Sequence, residues 1–207
     1  MRVQFGVDVA FGLHPLFLAQ HVPEHLALLA HYLATQRPVA VGECGLDFFV
    51  PGLDQAQQEE LLLAQLKLAR HFDLPVILHI RRSQDRVLKC LRQVRVRGGI
   101  AHAFNGSEQQ AQAFIDLGFC LGFGGAMTYP GSQRIRRLAA NLPLSAIVLE
   151  TDAPDMVPVW APDVANVPLN LLRFAEELAV LRQLPLAEVA QATTLNARRV
   201  LPGLHVE

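Results

Sequence analysis

The sequence predicts a TIM-barrel-type parallel (β/α) fold. Short apolar runs bounded by Gly or Pro alternate with longer stretches of helical periodicity. Two strands never follow one another directly, and this pattern implies right-handed βαβ units in a parallel sheet. A complete eight-stranded barrel takes about 250 residues. The 207-residue chain therefore predicts an incomplete barrel of about six of the eight strands.

The predicted elements follow one another along the whole chain. Buried strands are expected near residues 7–12, 38–43, 75–79, 99–104, 119–124 and 146–151. Helices are expected near residues 22–36, 54–72, 83–93, 107–116, 132–142, 168–183 and 186–200. The Pro-rich stretch from Pro154 to Pro168 is predicted to be a long loop over the ends of the strands. Because no repeat or linker interrupts the pattern, residues 1–207 are expected to form a single domain.

Composition limits the classes of protein to consider. With 51% hydrophobic and 18% charged residues the chain is not expected to be disordered. A net charge of −1 argues against a generally basic nucleic-acid coat, although an anionic substrate remains compatible with it. Cys44, Cys90 and Cys120 show no paired spacing, so we expect no disulfide framework and a cytoplasmic location. The N-terminus does not resemble a leader, and no apolar run reaches membrane-spanning length.

Four apolar runs end in residues that can bind a metal ion. These residues are Glu43, His79, His102 and Asp152. The carboxyl ends of parallel strands meet at one rim, so the four side chains are expected to converge there. A single histidine in such a place is more often a hydrogen-bonded core residue, but the four endings together favour a metal site. Two imidazoles and two carboxylates suit zinc, manganese or iron, and magnesium is also compatible.

Other polar residues are expected to support these four. Glu150 lies on the same strand face as Asp152, one step deeper, and is predicted to be its internal partner, while Asp152 is a metal ligand or general base. Asp47, placed past a glycine turn, is either an acceptor behind the ligands or a helix cap. His14 ends the first strand and is expected to approach the site, and Arg81 is placed to meet a ligand. Cys44 is expected to point outward into the core.

Several motifs resemble those of the TatD family of metal-dependent deoxyribonucleases, which are amidohydrolase-like TIM barrels, and of its YjjV-like branch. The matching segments are Gly12-Leu13-His14-Pro15, Gly42-Glu43 with Gly45-Leu46-Asp47, Pro75 to His79 with Arg81, His102 with Phe104 and Gly106-Ser107, and Leu149 to Pro154. Asn166-Val167-Pro168 resembles the remnant of a further family signature in the last loop.

The resemblance implies one or two divalent metal ions and hydrolysis of DNA phosphodiester bonds, with single-stranded DNA or 3′ ends as the expected substrate. It implies that Glu43 bridges two metals, that His79 and His102 are ligands of one metal, and that Asp152 is a ligand of the other, close to the attacking water. Glu43 and Asp152 are thus the expected catalytic residues. Ions of Mg, Mn or Zn are expected, and His14, Asp47, Arg81, Glu150 and Asn166 are expected to contact substrate or to support the ligands.

The chain departs from the family pattern before Gly12. The family's His-x-His strand and a second strand are absent there, so the chain is expected to be N-terminally truncated relative to the family. An open barrel exposes two sheet edges, and self-association through that opening or marginal stability is expected. Two alternatives to a deoxyribonuclease stay open: a catalytically impaired metal-binding scaffold, and an amidohydrolase-like enzyme acting on a small ester, amide or lactone.

Overall fold

The computed structural model describes residues 6–205 and contains one parallel sheet. Its six strands are β1 (Ala10–Phe11), β2 (Ala40–Asp47), β3 (Val76–Arg81), β4 (Gly99–Ala101), β5 (Phe119–Phe123) and β6 (Ile147–Leu149). They lie side by side in chain order, and every neighbouring pair is parallel. The predicted TIM-barrel-type architecture with six strands is confirmed, and the sheet is not closed: within residues 6–205, β1 and β6 each pair on one side only.

Helices connect the strands as the periodicity predicts. They are α1 (Glu24–Gln36), α2 (Gln55–His71), α3 (Gln84–Gln93), α4 (Glu108–Asp116), α5 (Gln133–Asn141), α6 (Leu171–Arg182) and α7 (Leu186–Val200). Helix α2 begins after Asp54, whose side chain accepts a hydrogen bond from the Gln57 backbone N–H at 2.9 Å. Helix α4 begins with a capping box between Ser107 and Gln110. Among residues 6–205, no helix combines the length and apolarity needed to cross a bilayer.

The hydrophobic core lies between the sheet and the surrounding helices. Strand residues such as Cys44, Leu46 and Leu78 are fully buried against helix residues such as Leu62 and Phe114. Cys44 therefore points outward into the core, as predicted. A smaller cluster contains Ala40, Cys120, Val148, Val200 and Leu201, so the end of α7 and the segment after it pack against the strands. The core holds the strand ends in fixed positions relative to one another.

Strand β2 is longer than predicted, and the expected turn after Glu43 is wrong. The strand continues through a bulge between Val41 and Cys44 and ends at the fully buried Asp47. Gly45 has a φ of +153°, and a Cβ there would lie 2.0 Å from the carbonyl oxygen of His79. This glycine therefore permits a close approach between β2 and β3 and does not form a turn.

Three other strands are shorter than predicted. Strand β1 has two residues, while β4 ends at Ala101 and β6 ends at Leu149. His102, Glu150 and Asp152 consequently lie just beyond the strands, in the segments that follow them. Backbone hydrogen bonds still fix two of these segments: the N–H of His102 donates to Leu78 O at 3.1 Å, and the N–H of Glu150 donates to Phe123 O at 3.2 Å.

Candidate metal centre

The structure brings metal-binding side chains together in two groups at the carboxyl ends of the strands. One group contains His14, Glu43 and His79, and the other contains Glu43, His102 and Asp152. In each group the potential ligand atoms lie within 4.8 Å of one another. Glu43 belongs to both groups. The arrangement can hold one ion beside Glu43 or two ions on either side of it.

In the first group, Asp47 determines how the His79 ring is oriented. His79 Nε2 lies 2.9 Å from Asp47 Oδ2, and His79 Nδ1 lies 3.3 Å from Glu43 Oε1. A neutral ring that donates Nε2–H to Asp47 keeps the lone pair of Nδ1 directed toward Glu43. His14 Nε2 lies 3.7 Å from the same Glu43 oxygen. Asp47 therefore lies behind His79 and fixes the orientation of its ring.

In the second group, Glu150 has the same role for His102. Glu150 Oε2 lies 3.1 Å from His102 Nδ1, and Glu150 Oε1 accepts a hydrogen bond from the Ala103 N–H at 2.6 Å. Nδ1–H donation to Glu150 leaves the lone pair of Nε2 facing Asp152 Oδ1, which is 3.4 Å away. Gly122 makes room for Glu150, because a Cβ at this position would lie 1.9 Å from Glu150 Oε2.

The charges of these side chains are strongly coupled. Burial lowers the pKa of His102, but the charge of Glu150 and hydrogen bonds to Asp152 and Glu150 raise it overall to about 11. Burial likewise lowers the pKa of His79, which Glu43 and Asp47 raise above its ordinary value. Burial raises the pKa of the Glu43 carboxyl, but the adjacent His14 and His79 and the charge of His102 hold it well below its usual range.

Glu43 provides the clearest test of whether a cation fits this site. Its Oε1 atom is buried and has no hydrogen-bond partner among residues 6–205. Burying a carboxylate oxygen without a partner destabilises the fold by roughly 1–3 kcal/mol or more, unless a cation or a hydrogen-bond donor contacts it. Nitrogens of His14, His79 and His102 and the carboxylate of Asp152 lie near the Glu43 carboxylate. Imidazole and carboxylate donors match the ligands of zinc and manganese.

Two buried glutamines on α2, which the sequence analysis did not identify as site residues, position the segments that carry the site. Gln58 accepts a hydrogen bond from Asp47 N at 2.7 Å and donates one to Asp47 O at 3.0 Å. Gln65 accepts from Leu13 N at 2.7 Å and donates to Leu13 O at 3.0 Å, next to His14. Their separation of two helical turns within the buried face of α2 is the signal that could have found them.

Three non-glycine residues that follow strands near the site have left-handed backbone conformations. Arg82, Ala103 and Asp152 follow β3, β4 and β6, and their φ angles are +54°, +45° and +57°. A non-glycine residue in this left-handed region costs about 1–3 kcal/mol. Such conformations occur preferentially where the surrounding structure fixes a functional side chain, which agrees with a site at this rim.

Asn166 and Arg81 lie outside the two groups. Asn166 is buried, and its Nδ2 donates hydrogen bonds to Thr151 O at 2.6 Å and Met156 O at 3.2 Å. Asn166 therefore stabilises the long loop that carries Asp152. This loop extends to Pro168, as the sequence predicts. The side chain of Arg81 is exposed and contacts Phe49.

The grouping of the ligands differs from the one implied by the family resemblance. The resemblance places His79 and His102 on one metal, whereas the structure puts His79 with His14 and His102 with Asp152. The reason is geometric: His14 lies three residues beyond β1, and not at the end of the strand as predicted, and it reaches Glu43 from the side of β2 that is opposite His102. His14 is therefore among the side chains that could bind a metal ion.

Comparison with known proteins agrees with the fold and with the chemistry of the site. The family model described as TatD related DNase matches residues 2–202. The chain is 44% identical over 191 residues to the Escherichia coli protein YjjV, named an uncharacterized metal-dependent hydrolase, covering 90% of this chain and 73% of the relative. It is 32% identical over 196 residues to the 3'-5' ssDNA/RNA exonuclease TatD of Erwinia tasmaniensis, covering 91% and 76%.

A solved crystal structure has the same fold as this chain. The crystal structure of E. coli YjjV superimposes with a TM-score of 0.91 at 41% sequence identity, covering 94% of this chain and 76% of that one. The family match extends over nearly the whole chain and includes all the residues of both ligand groups. The chain therefore belongs to the TatD family of metal-dependent hydrolases.

Proposed function

We propose that the protein is a metal-dependent deoxyribonuclease that hydrolyses phosphodiester bonds of single-stranded DNA and removes nucleotides from the 3′ end. The observation that carries this proposal is that Glu43 is shared by two ligand groups. A carboxylate between two groups suits phosphodiester hydrolysis, in which the attacking and leaving oxygens both need stabilisation. The exonuclease name of the Erwinia relative supports the choice of substrate.

The chain's own residues have distinct roles in this proposal. Glu43, His14, His79, His102 and Asp152 would hold one or two ions of Mg, Mn or Zn. When bound, such an ion supplies Lewis acidity and makes a water molecule more acidic. Asp47 and Glu150 hold the two histidine rings in the orientation that binding requires.

Asp152 is the carboxylate best placed to accept a proton from the attacking water. Its side chain is 33% exposed, compared with 26% for Glu43, 15% for Glu150 and 0% for Asp47. Solvent reaches Asp152 more readily than the other carboxylates of the site, and a general base must lie within hydrogen-bond reach of the water that it deprotonates.

A nuclease assay on metal-stripped protein tests the proposal. We expect a 5′-labelled single-stranded oligodeoxynucleotide to shorten progressively once Mg²⁺, Mn²⁺ or Zn²⁺ is added. Glu43→Gln removes the shared charge with little change in volume and should abolish product formation. Glu176→Gln makes the same chemical change at an exposed position on α6 and should leave activity unchanged.

Two results would refute the proposal: no shortening with any of the three metals, or undiminished activity in Glu43→Gln. Hydrolysis of small esters or lactones by a protein inactive on DNA would favour an amidohydrolase-like function. Metal uptake without any turnover would favour a binding scaffold. Thermal melting of each variant separates loss of activity from loss of the fold.

The proposed cellular setting is the cytoplasm. Cys44, Cys90 and Cys120 are free and buried, which suits a reducing compartment. Burial and the charge of Glu43 raise the pKa of the Cys44 thiol to about 12. That thiol is therefore protonated at neutral pH and unreactive.

We also propose that the protein self-associates through the unpaired edges of its sheet. Strands β1 and β6 each lack a neighbour on one side in the part of the chain described here, and unpaired edges favour association. Light scattering should give a mass above that of one chain. A mass equal to that of one chain would contradict this proposal.

A further inference from the structure

An aromatic ring and two arginines form an exposed cluster beside the metal centre. The guanidinium carbons of Arg81 and Arg82 lie 3.8 Å and 4.6 Å from the ring centroid of Phe49. Phe49 is 44% exposed, and both arginines are exposed. A cation–π contact at an exposed site contributes about 0.5–1 kcal/mol. The ring therefore helps to hold two like charges close together at the surface.

Hydrogen bonds connect this cluster to the metal centre. Asp47 Oδ1 accepts a hydrogen bond from the Phe49 N–H at 2.9 Å, and Asp47 Oδ2 accepts one from His79 Nε2 at the same distance. One buried carboxylate thus positions both a candidate metal ligand and the residue under the arginines. Arg82 has a left-handed φ of +54°. Behind it, the buried Ser83 donates a hydrogen bond to Leu46 O at 2.7 Å.

The two arginines are not neutralised by nearby acids. In the described part of the chain, neither Arg81 nor Arg82 forms a salt bridge, whereas Arg86 and Arg136 pair with glutamates. Their donors are therefore available to an anion from solution. Guanidinium groups bind phosphate oxygens through two parallel hydrogen bonds, a geometry that phosphate shares with carboxylate.

The location of this positive charge matters for a nucleic-acid substrate. Four carboxylates surround the candidate metal centre: Glu43, Asp47, Glu150 and Asp152. Their charge repels a phosphodiester backbone on approach. A pair of arginines at the edge of this acidic region offsets the repulsion there, so the nucleic-acid strand is expected to approach the metal centre past these two residues.

We propose that Arg81 and Arg82, held on Phe49, bind a phosphodiester group of single-stranded DNA next to the one presented to the metal centre. This inference rests on the proposed nuclease function, and it names the residues that hold the strand. Arg81 and Arg82 are binding residues, while Phe49 is a positioning residue.

The salt dependence of DNA binding tests this inference without any turnover. A fluorescent single-stranded oligodeoxynucleotide is titrated with the protein in chelator, and anisotropy gives the affinity at several NaCl concentrations. Each phosphate contact on a single strand contributes about 0.7 to the slope of log affinity against log salt. The Arg81→Ala/Arg82→Ala double variant removes the one proposed phosphate contact and should lower the slope by about 0.7, while Arg82→Lys should keep it.

Arg92→Ala is the matched control. Arg92 is an exposed arginine in the last turn of α3, which runs back from the strand ends and so finishes at the opposite end of the sheet. Its substitution should leave the slope unchanged. An unchanged slope in the double variant, or an equal loss in Arg92→Ala, would overturn the inference. If metal-dependent shortening is absent but the slopes change as expected, the nuclease proposal fails while the phosphate-binding site stands.

Discussion

The substitution Glu150→Gln tests how the charge behind His102 controls metal binding. Glutamine has nearly the same shape as glutamate and can still accept the 2.6 Å hydrogen bond from the Ala103 N–H through its oxygen. The amide nitrogen then replaces the oxygen that lies 3.1 Å from His102 Nδ1. Since an amide nitrogen can only donate, His102 must accept at Nδ1 and carry its proton on Nε2. That proton occupies the lone pair directed at Asp152.

The expected magnitude follows from this exchange of tautomers. Substituting a residue that orients a metal-bound histidine typically costs 10–100-fold in metal affinity, which is about 1.4–2.8 kcal/mol. Isothermal titration calorimetry of metal-stripped protein with Zn²⁺ or Mn²⁺ measures this loss directly. The Glu176→Gln variant makes the same change on the surface of α6 and should bind metal as the parent does.

A parent-like metal affinity in Glu150→Gln would refute the reasoning. It would mean that Glu150 does not determine the protonation of His102. Circular dichroism of the variant must show the parent's fold, because unfolding would lower metal affinity for a different reason.

Three further predictions concern the supporting residues of the site and the protonation of its histidines. Gly122→Ala places a methyl group 1.9 Å from Glu150 Oε2, so it should weaken metal binding at least as much as Glu150→Gln does, as measured by the same calorimetry, and an unchanged affinity would contradict this. Gln58→Ala leaves the buried Asp47 N–H and C=O without partners and should lower the free energy of unfolding in urea by about 1–3 kcal/mol for each group, whereas the exposed Gln112→Ala should not. Metal affinity should rise with pH, because the pKa values of His79 and His102 are raised in the metal-free protein, that of His102 to about 11, and metal binding must displace these protons. Each displaced proton changes the metal affinity by about tenfold per pH unit. Charged His102 should stabilise the metal-free fold fully below about pH 6.5, and this stabilisation should be lost toward pH 11. Calorimetry in buffers of different ionisation enthalpy counts the released protons, and a count of zero would show that the rings are already neutral.

Much of the fold could be predicted from the sequence because hydrophobic periodicity depends on which side of an element faces the core. All seven predicted helices and all six strands are present. The length of β2 was missed because a bulge and two glycines have the composition of a turn. Composition cannot distinguish a glycine that permits a close approach between strands from one that reverses the chain.

The candidate site could also be predicted only in part from the sequence. The strand endings place Glu43, His79, His102 and Asp152 at one rim, because parallel strands have a common direction. The pairing of His14 with His79, whose ring centroids lie 4.5 Å apart, depends on strand register and side-chain direction. Gln58 and Gln65 were not predicted as supports, although their spacing places them on the buried face of α2. That spacing indicates burial, but it does not identify the backbone groups that the two side chains contact.

The most direct test of the central claim is an anomalous-diffraction map of crystals soaked in Mn²⁺. Manganese scatters anomalously, so the map locates each ion independently of the atomic coordinates. We predict density beside Glu43, in contact with His14 and His79, with His102 and Asp152, or with both pairs, and its loss in Glu43→Gln crystals. A map with its strongest density away from Glu43, or with none within reach of these side chains, would contradict the proposed metal centre.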